Sequence, residues 1–222
     1  MTPGRYNHPV AVLAGWSLAL VLVFAVTVLY NMALSAYVAH ERASDPHPPL
    51  TEAERYIELN RFEDAWEQVE IARARAQEHP RLWKVIGDLH FRRNKHREAA
   101  EAYQHAVKRG SADRSVYANL LWSLIQLQYY QRASEMGRRF MQRWHDPVFP
   151  RYVAEAFIRR GEREKAVPYL EEALEGNETD LYLLRNLARA YQSAGRLQEA
   201  QKVQRRIAAI EAQQDIVPEP SM

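Results

Sequence analysis

The chain has 222 residues, a formal net charge of +2 and no cysteine. The missing thiol excludes disulfides and thiolate chemistry, and 30 basic against 28 acidic side chains leave no excess of the size that nucleic-acid binding uses. Hydrophobic residues make up 47% of the chain, and their uneven distribution divides it.

Residues 1–9 are a short tail carrying Arg5. Val10 to Tyr30 then reads VAVLAGWSLALVLVFAVTVLY, 21 residues without a charge. At about 1.5 Å per residue this stretch spans roughly 30 Å, the thickness of a bilayer core. The uncharged run continues to Ala39, so residues 10–39 are expected to form a transmembrane helix and its extension. Trp16 near one end, and Tyr30 and Tyr37 near the other, suit the interfaces. The ALSA run at 33–36 offers a signal-peptidase site, but a cleaved signal has a shorter apolar core. Arg5 and the terminal amine outweigh Arg42 by about one charge, which favours the tail inside. The expectation is a single-pass protein of a bacterial inner membrane, with the remainder in the periplasm.

Residues 40–49, HERASDPHPP, contain three prolines and are expected to be an extended linker. From Leu50 to Gln213 the pattern changes. Ala65, Ala99, Ala133, Ala166 and Ala200 stand 34, 34, 33 and 34 residues apart. Such a period marks a repeat array. The second unit carries Trp83, Ile86, Gly87, His90, Ala99, Tyr103 and Ala106. The fifth carries Leu184, Leu187, Ala188, Tyr191, Gly195, Ala200 and Ile207, and the fourth Ala154, Phe157, Gly161, Ala166, Leu170 and Ala173. The first is weaker: Ala53, Tyr56, Asn60, Ala65, Val69 and Ala72. These residues resemble the tetratricopeptide repeat pattern, W-x2-L-G-x2-Y…A-x3-F-x2-A. The resemblance implies an α-solenoid of about five helix pairs, so that with the expected N-terminal transmembrane helix the chain is read as all-α. Turns are expected near Asn60, Lys95, Tyr129, Gly161 and Gly195. Residues 214–222 are expected to be a disordered tail.

The third unit inverts the pattern. Leu121 stands where its neighbours have Gly87, Ala154 and Ala188; Phe140 stands where three others have Ala72, Ala106 and Ala173; Gly137 replaces the bulky Tyr103 or Leu170. Compensated repacking is one reading. A bend of the superhelix that admits a ligand is the other.

No catalytic constellation is found, and no cofactor or metal is expected. The eight histidines include no pair at i, i+4 with the glutamate of a zinc hydrolase helix. Phosphate-cradling glycine loops and nucleophile elbows are likewise missing from the sequence. Glu171 and Glu172 are adjacent, so on a helix they point apart. His90 takes a core position of its unit.

The family resemblance implies that the first helix of each unit lines a concave groove. Its groove positions fall on Arg81, Lys84, Asp88, Phe91 and Arg92; on Asn119, Trp122, Ile125 and Gln126; on Arg151, Tyr152, Glu155 and Arg159; and on Tyr182, Arg185, Asn186, Arg189 and Gln192. These positions hold seven basic groups against two acidic ones, while the first unit adds Glu54 and Glu58. Arginine can grip a carboxylate bidentately, and exposed aromatics such as Trp122 anchor interfaces. An acidic, extended peptide or protein segment is the expected partner. Lys84 and Asn119 match a clamp that some family members use for a C-terminal carboxylate, but Asp88 stands where that clamp has asparagine.

Two roles fit this layout. One is a membrane-anchored scaffold or assembly factor that holds a partner beside the bilayer. The other is a permanent subunit of a membrane complex, packing through small residues such as Ala11, Ala14 and Gly15. A receptor facing the cytoplasm is a third, more remote reading.

Overall fold

Five short turns, each with one left-handed residue, organise the array. Asn60, Asn94, Gln128, Gly161 and Gly195 have φ of 57, 56, 62, 83 and 72°. Each closes a helix with a six-residue backbone bond: Arg61 N–H to Tyr56 O, Lys95 to His90, Tyr129 to Leu124, Glu162 to Phe157 and Arg196 to Tyr191, all at 2.8–2.9 Å. This is the Schellman closure, for which glycine and asparagine are best suited. In units two and three the left-handed residue comes one position before the expected Lys95 and Tyr129. Those two residues instead cap the next helix.

The computed structural model describes residues 26–35 and 47–215. Ten helices make the array: α1 (His47–Glu58), α2 (Phe62–Arg75), α3 (Pro80–Arg92), α4 (His96–Lys108), α5 (Arg114–Gln126), α6 (Tyr130–Arg143), α7 (Val148–Arg159), α8 (Arg163–Glu175), α9 (Leu181–Ser193) and α10 (Leu197–Asp215). They pack as five successive pairs, each pair also touching the next, and no strand occurs among the described residues. The expected linker ends early, because α1 already begins at His47. Pro48 and Pro49 fall in its first turn, where a missing N–H leaves no hydrogen bond unmade.

Residues 26–35 are also helical. The expected membrane helix lies otherwise outside the described residues, as do residues 216–222 of the expected tail, while residues 214 and 215 continue α10. No described helix is long and apolar enough to cross a membrane.

The five framing alanines are all buried, each where paired helices approach closely. In the second unit the small residue lies on α3: a Cβ on Gly87 would sit 2.5 Å from the Tyr103 ring of α4. In the third the small residue lies on α6. A Cβ on Gly137 would sit 2.5 Å from Val153 Cγ2 of α7 and 3.4 Å from Leu121 Cδ1 of α5. The volume missing at Gly137 is thus filled by its own unit and by the next. Phe140 joins Tyr117, Trp144 and Phe149 in an aromatic cluster, with ring centroids 4.3–6.4 Å apart. The third unit is repacked, as one of the two sequence readings had it.

A second periodic series locks the pairs together. His79, Asp113, Asp146 and Asp180 stand 34, 33 and 34 residues apart, each at the start of the first helix of a unit. His79 Nδ1 accepts from Arg81 N–H at 3.2 Å, Asp113 Oδ1 from Ser115 N–H at 2.9 Å, Asp146 Oδ1 from Val148 N–H at 3.0 Å and Asp180 Oδ1 from Leu183 N–H at 3.1 Å. These bonds satisfy amides that a helix start leaves unpaired. Asp146 also pairs with Arg114, and Asp180 with Arg151 at 3.0 Å. Both arginines belong to the preceding unit.

Candidate functional site

The first helices α1, α3, α5, α7 and α9 line one face of the array. Between the first three units this face opens into a cavity of about 450 Å³. Ile57 and Phe91 are its apolar walls, and Glu54, Glu58, Lys84, Asp88, Arg92 and Asn119 supply its polar rim. Five of the expected groove positions, Lys84, Asp88, Phe91, Arg92 and Asn119, therefore meet at one place.

Glu54, Lys84, Asp88 and Asn119 of the rim are joined in one network. Lys84 Nζ lies 2.8 Å from Asp88, 3.5 Å from Glu54 and 3.9 Å from Asp113. Burial opposes its charge, but Asp88, Glu54 and Asp113 together hold the ammonium above the usual lysine range. Arg81 donates to Glu54 at 2.7 Å. Burial works to raise the Glu54 carboxyl, yet the Arg81 hydrogen bond and the Lys84 charge keep it below the usual carboxylate range. Tyr103 O–H donates to Asp88 at 2.7 Å, and Asn119 Nδ2 donates to the Tyr103 oxygen at 3.2 Å. Burial and then the Asp88 charge push the Tyr103 hydroxyl well above the usual tyrosine range.

Along the rest of the face the cations are also engaged. Arg159 Nε donates to the buried Glu155 at 2.7 Å, and Tyr182 O–H donates to the other oxygen of the same carboxylate. The Tyr182 hydroxyl is pushed up to about 12, by burial first and Glu155 second. Arg151 pairs with Asp180, and Arg185 with Glu211 of α10 at 2.7 Å. Arg92 reaches Asn60 at 3.4 Å. Arg92 and the exposed Arg189 are in none of the ion pairs found among the described residues.

This corrects the expected basic groove. Five of its seven cations, Arg81, Lys84, Arg151, Arg159 and Arg185, are held by carboxylates of the same molecule. Three of those acids, Asp113, Asp180 and Glu211, lie off the family's groove positions, so a count over those positions misses them. The regular spacing of Asp113, Asp146 and Asp180 was a sequence signal that could have exposed the first two.

The aromatics run on from the cavity. Trp122 is half-buried, with its ring 6.1 Å from that of the half-buried Tyr152 in the next unit. Arg151 lies over the exposed Tyr182 ring at 5.6 Å. Asn186 donates to Tyr182 O at 2.9 Å, which leaves its side-chain oxygen unused among these bonds. The structure thus distributes Trp122, Arg151, Tyr152, Arg159, Tyr182, Arg185, Asn186 and Arg189 along the face beyond the cavity, not in one pocket.

The tetratricopeptide repeat model matches residues 28–213. The chain belongs to the tetratricopeptide repeat family. No curated protein matches it. Among solved structures, this tetratricopeptide array is similar to YrrB, described as a TPR protein with an unusual peptide-binding site, at 15% identity and a TM-score of 0.67, covering 80% of this chain and 92% of that one. It is also similar to MamA protein, at 13% identity and a TM-score of 0.70, covering 80% and 97%. MamA from Desulfovibrio magneticus RS-1 superposes with a TM-score of 0.68 at 12% identity, covering 77% and 97%. At these identities the likeness is one of fold.

Proposed function

We propose that this protein is a tetratricopeptide scaffold that holds an extended segment of a partner protein along its concave face. The carrying observation is the continuous lining of that face: an open cavity, then Trp122, Tyr152 and Tyr182 with Asn186 beside them. Aromatic rings supply contact area at little entropic cost, and amides bond a peptide backbone whatever its sequence. The similarity to YrrB, described by its peptide-binding site, supports this reading. Because five of the seven cations are already paired, attraction to an acidic partner is not what we infer drives binding.

A randomised twelve-residue display library, selected on the full chain in detergent micelles, tests the groove. Trp122→Ala should weaken the selected peptides at least tenfold, as loss of a central aromatic does. Arg205→Glu on α10 should leave them unchanged. Peptides indifferent to Trp122→Ala would remove the function from this face.

We further propose that residues 10–30 anchor the array in a bacterial inner membrane with the repeats on the periplasmic side. The uncharged 21-residue run supports this. A C-terminal reporter active only outside the cytoplasm should be active, and an inactive one at normal expression would reverse the orientation. Removing residues 1–39 should release the array into the soluble fraction.

A further inference from the structure

We infer that the cavity between the first three units receives a basic side chain, Lys or Arg, of the bound segment. The inference rests on the groove reading above and specifies what one end of the groove selects. It also runs against the acidic partner that the sequence count suggests.

Charge decides the direction. The half-buried network behind the cavity holds two cations, Arg81 and Lys84, against three carboxylates, Glu54, Asp88 and Asp113. Lys84 has all three acids within 3.9 Å and keeps only 18% of its side chain exposed, so it presents no free cation to a ligand. Glu58, one turn from Glu54 on α1, is exposed and in none of the ion pairs found among the described residues. Arg92, also on the rim, is drawn toward Asn60. The whole set is four acids to three bases. A partly buried region with one negative charge in excess favours a further cation.

The shape agrees with the charge. Ile57 and Phe91 give the cavity apolar walls, against which the methylene stem of a long basic side chain can lie while its head meets carboxylates. A carboxylate in the same place would face Glu58 and the excess of the network, and the rim cation outside the ion pairs, Arg92, is drawn toward Asn60.

The experiment reads amide and side-chain NMR shifts at Ile57, Glu58 and Phe91 in the full chain in micelles. Its probes are three capped tripeptides: Ala-Lys-Ala, Ala-norleucine-Ala and Ala-Glu-Ala. The lysine peptide should move these signals saturably, and at least threefold more than norleucine at equal concentration. The glutamate peptide should move them least. Glu58→Lys should abolish the lysine response, and since Glu58 is exposed the fold should be kept. Norleucine or glutamate shifts equal to those of lysine, or a lysine response unchanged in Glu58→Lys, would overturn the inference. The groove reading is judged separately, by the Trp122 dependence of the selected peptides: those peptides can depend on Trp122 while the cavity ignores charge, and only the present inference then fails.

Discussion

The second and third units solve one packing problem with opposite residues. The second places its small residue on the first helix and fills the space with a tyrosine from the second: Gly87 under the Tyr103 ring. The third places its small residue on the second helix, Gly137, and fills the space from both sides, with Leu121 of its own first helix and Val153 of the next unit. Tyr103 is fully buried and also fixed at its far end by Asp88 and Asn119. Val153 has no such tether. The difference teaches that a repeat frame fixes where two helices must approach, and leaves open which of them yields. It also shows where the unit boundary becomes soft: the third unit borrows volume from the fourth.

Alanine at each glycine gives the largest separation. Gly87→Ala drives a Cβ into a ring that cannot retreat, and should cost about 3 kcal/mol even after the helix-propensity gain. Gly137→Ala should cost about 1 kcal/mol, because one aliphatic side chain can adjust. Adding Val153→Ala to Gly137→Ala should recover part of that loss, while no partner change short of Tyr103 itself should rescue Gly87→Ala. Urea unfolding measures all of these. Equal losses at the two glycines would break the comparison.

The joints that follow the two units differ as well. Asp113, after the second, is 45% exposed in its side chain and stands 3.9 Å from a Lys84 that has two nearer carboxylates. Asp146, after the third, is 19% exposed and is the only carboxylate paired with Arg114 among the described residues. Both cap a helix, so alanine at either should cost about 1 kcal/mol. Asp146→Ala should exceed Asp113→Ala by a few tenths of a kcal/mol, within the range of a partly exposed pair. A shift of the thermal midpoint in the reverse order would show that the caps, not the pairs, distinguish these joints.

The smallest effect depends on pH. The second unit has His90 where the third has Leu124. His90 packs 5.8 Å from the Trp66 ring, and its Nδ1 has no hydrogen-bond partner. Burial holds its pKa below the usual histidine value, with lesser opposed influences from Glu98, Lys95, Arg93 and Glu101. The folded state therefore prefers the neutral ring, while the unfolded chain takes up the proton first as pH falls. The stabilisation is complete above about pH 6.5 and is lost as pH drops through the lowered folded value. His90→Leu should flatten the stability profile between pH 7 and pH 5. An unchanged slope would assign that acid sensitivity to other groups.

Much of this architecture was legible because close helix approach demands small residues at a fixed interval, and Ala65, Ala99, Ala133, Ala166 and Ala200 report it directly. The turns were legible to within one residue. Asn94 takes the left-handed place ahead of Lys95 because asparagine adopts that backbone more readily. Gln128 precedes Tyr129 in the same way, although glutamine has no such preference; the frame imposes the conformation there. The groove was legible as a surface and not as a field. Which side chains face it follows from helical geometry, but whether their charges are already paired depends on Asp113, Asp180 and Glu211, which arrive from helix starts and from the end of α10. Partners brought together by stacking leave no local trace in a single repeat.

The capping aspartates have a consequence for how such a chain can change length. Arg114 reaches the aspartate that opens the fourth unit and Arg151 the one that opens the fifth, so the fourth unit lies between two cuts that each pass through an arginine–aspartate bond. Copying or deleting that unit between those cuts returns an aspartate to each arginine and an arginine to each aspartate. A cut inside it leaves one of these bonds to be rebuilt. Shortening or lengthening the face by this one unit thus needs no new kind of joint.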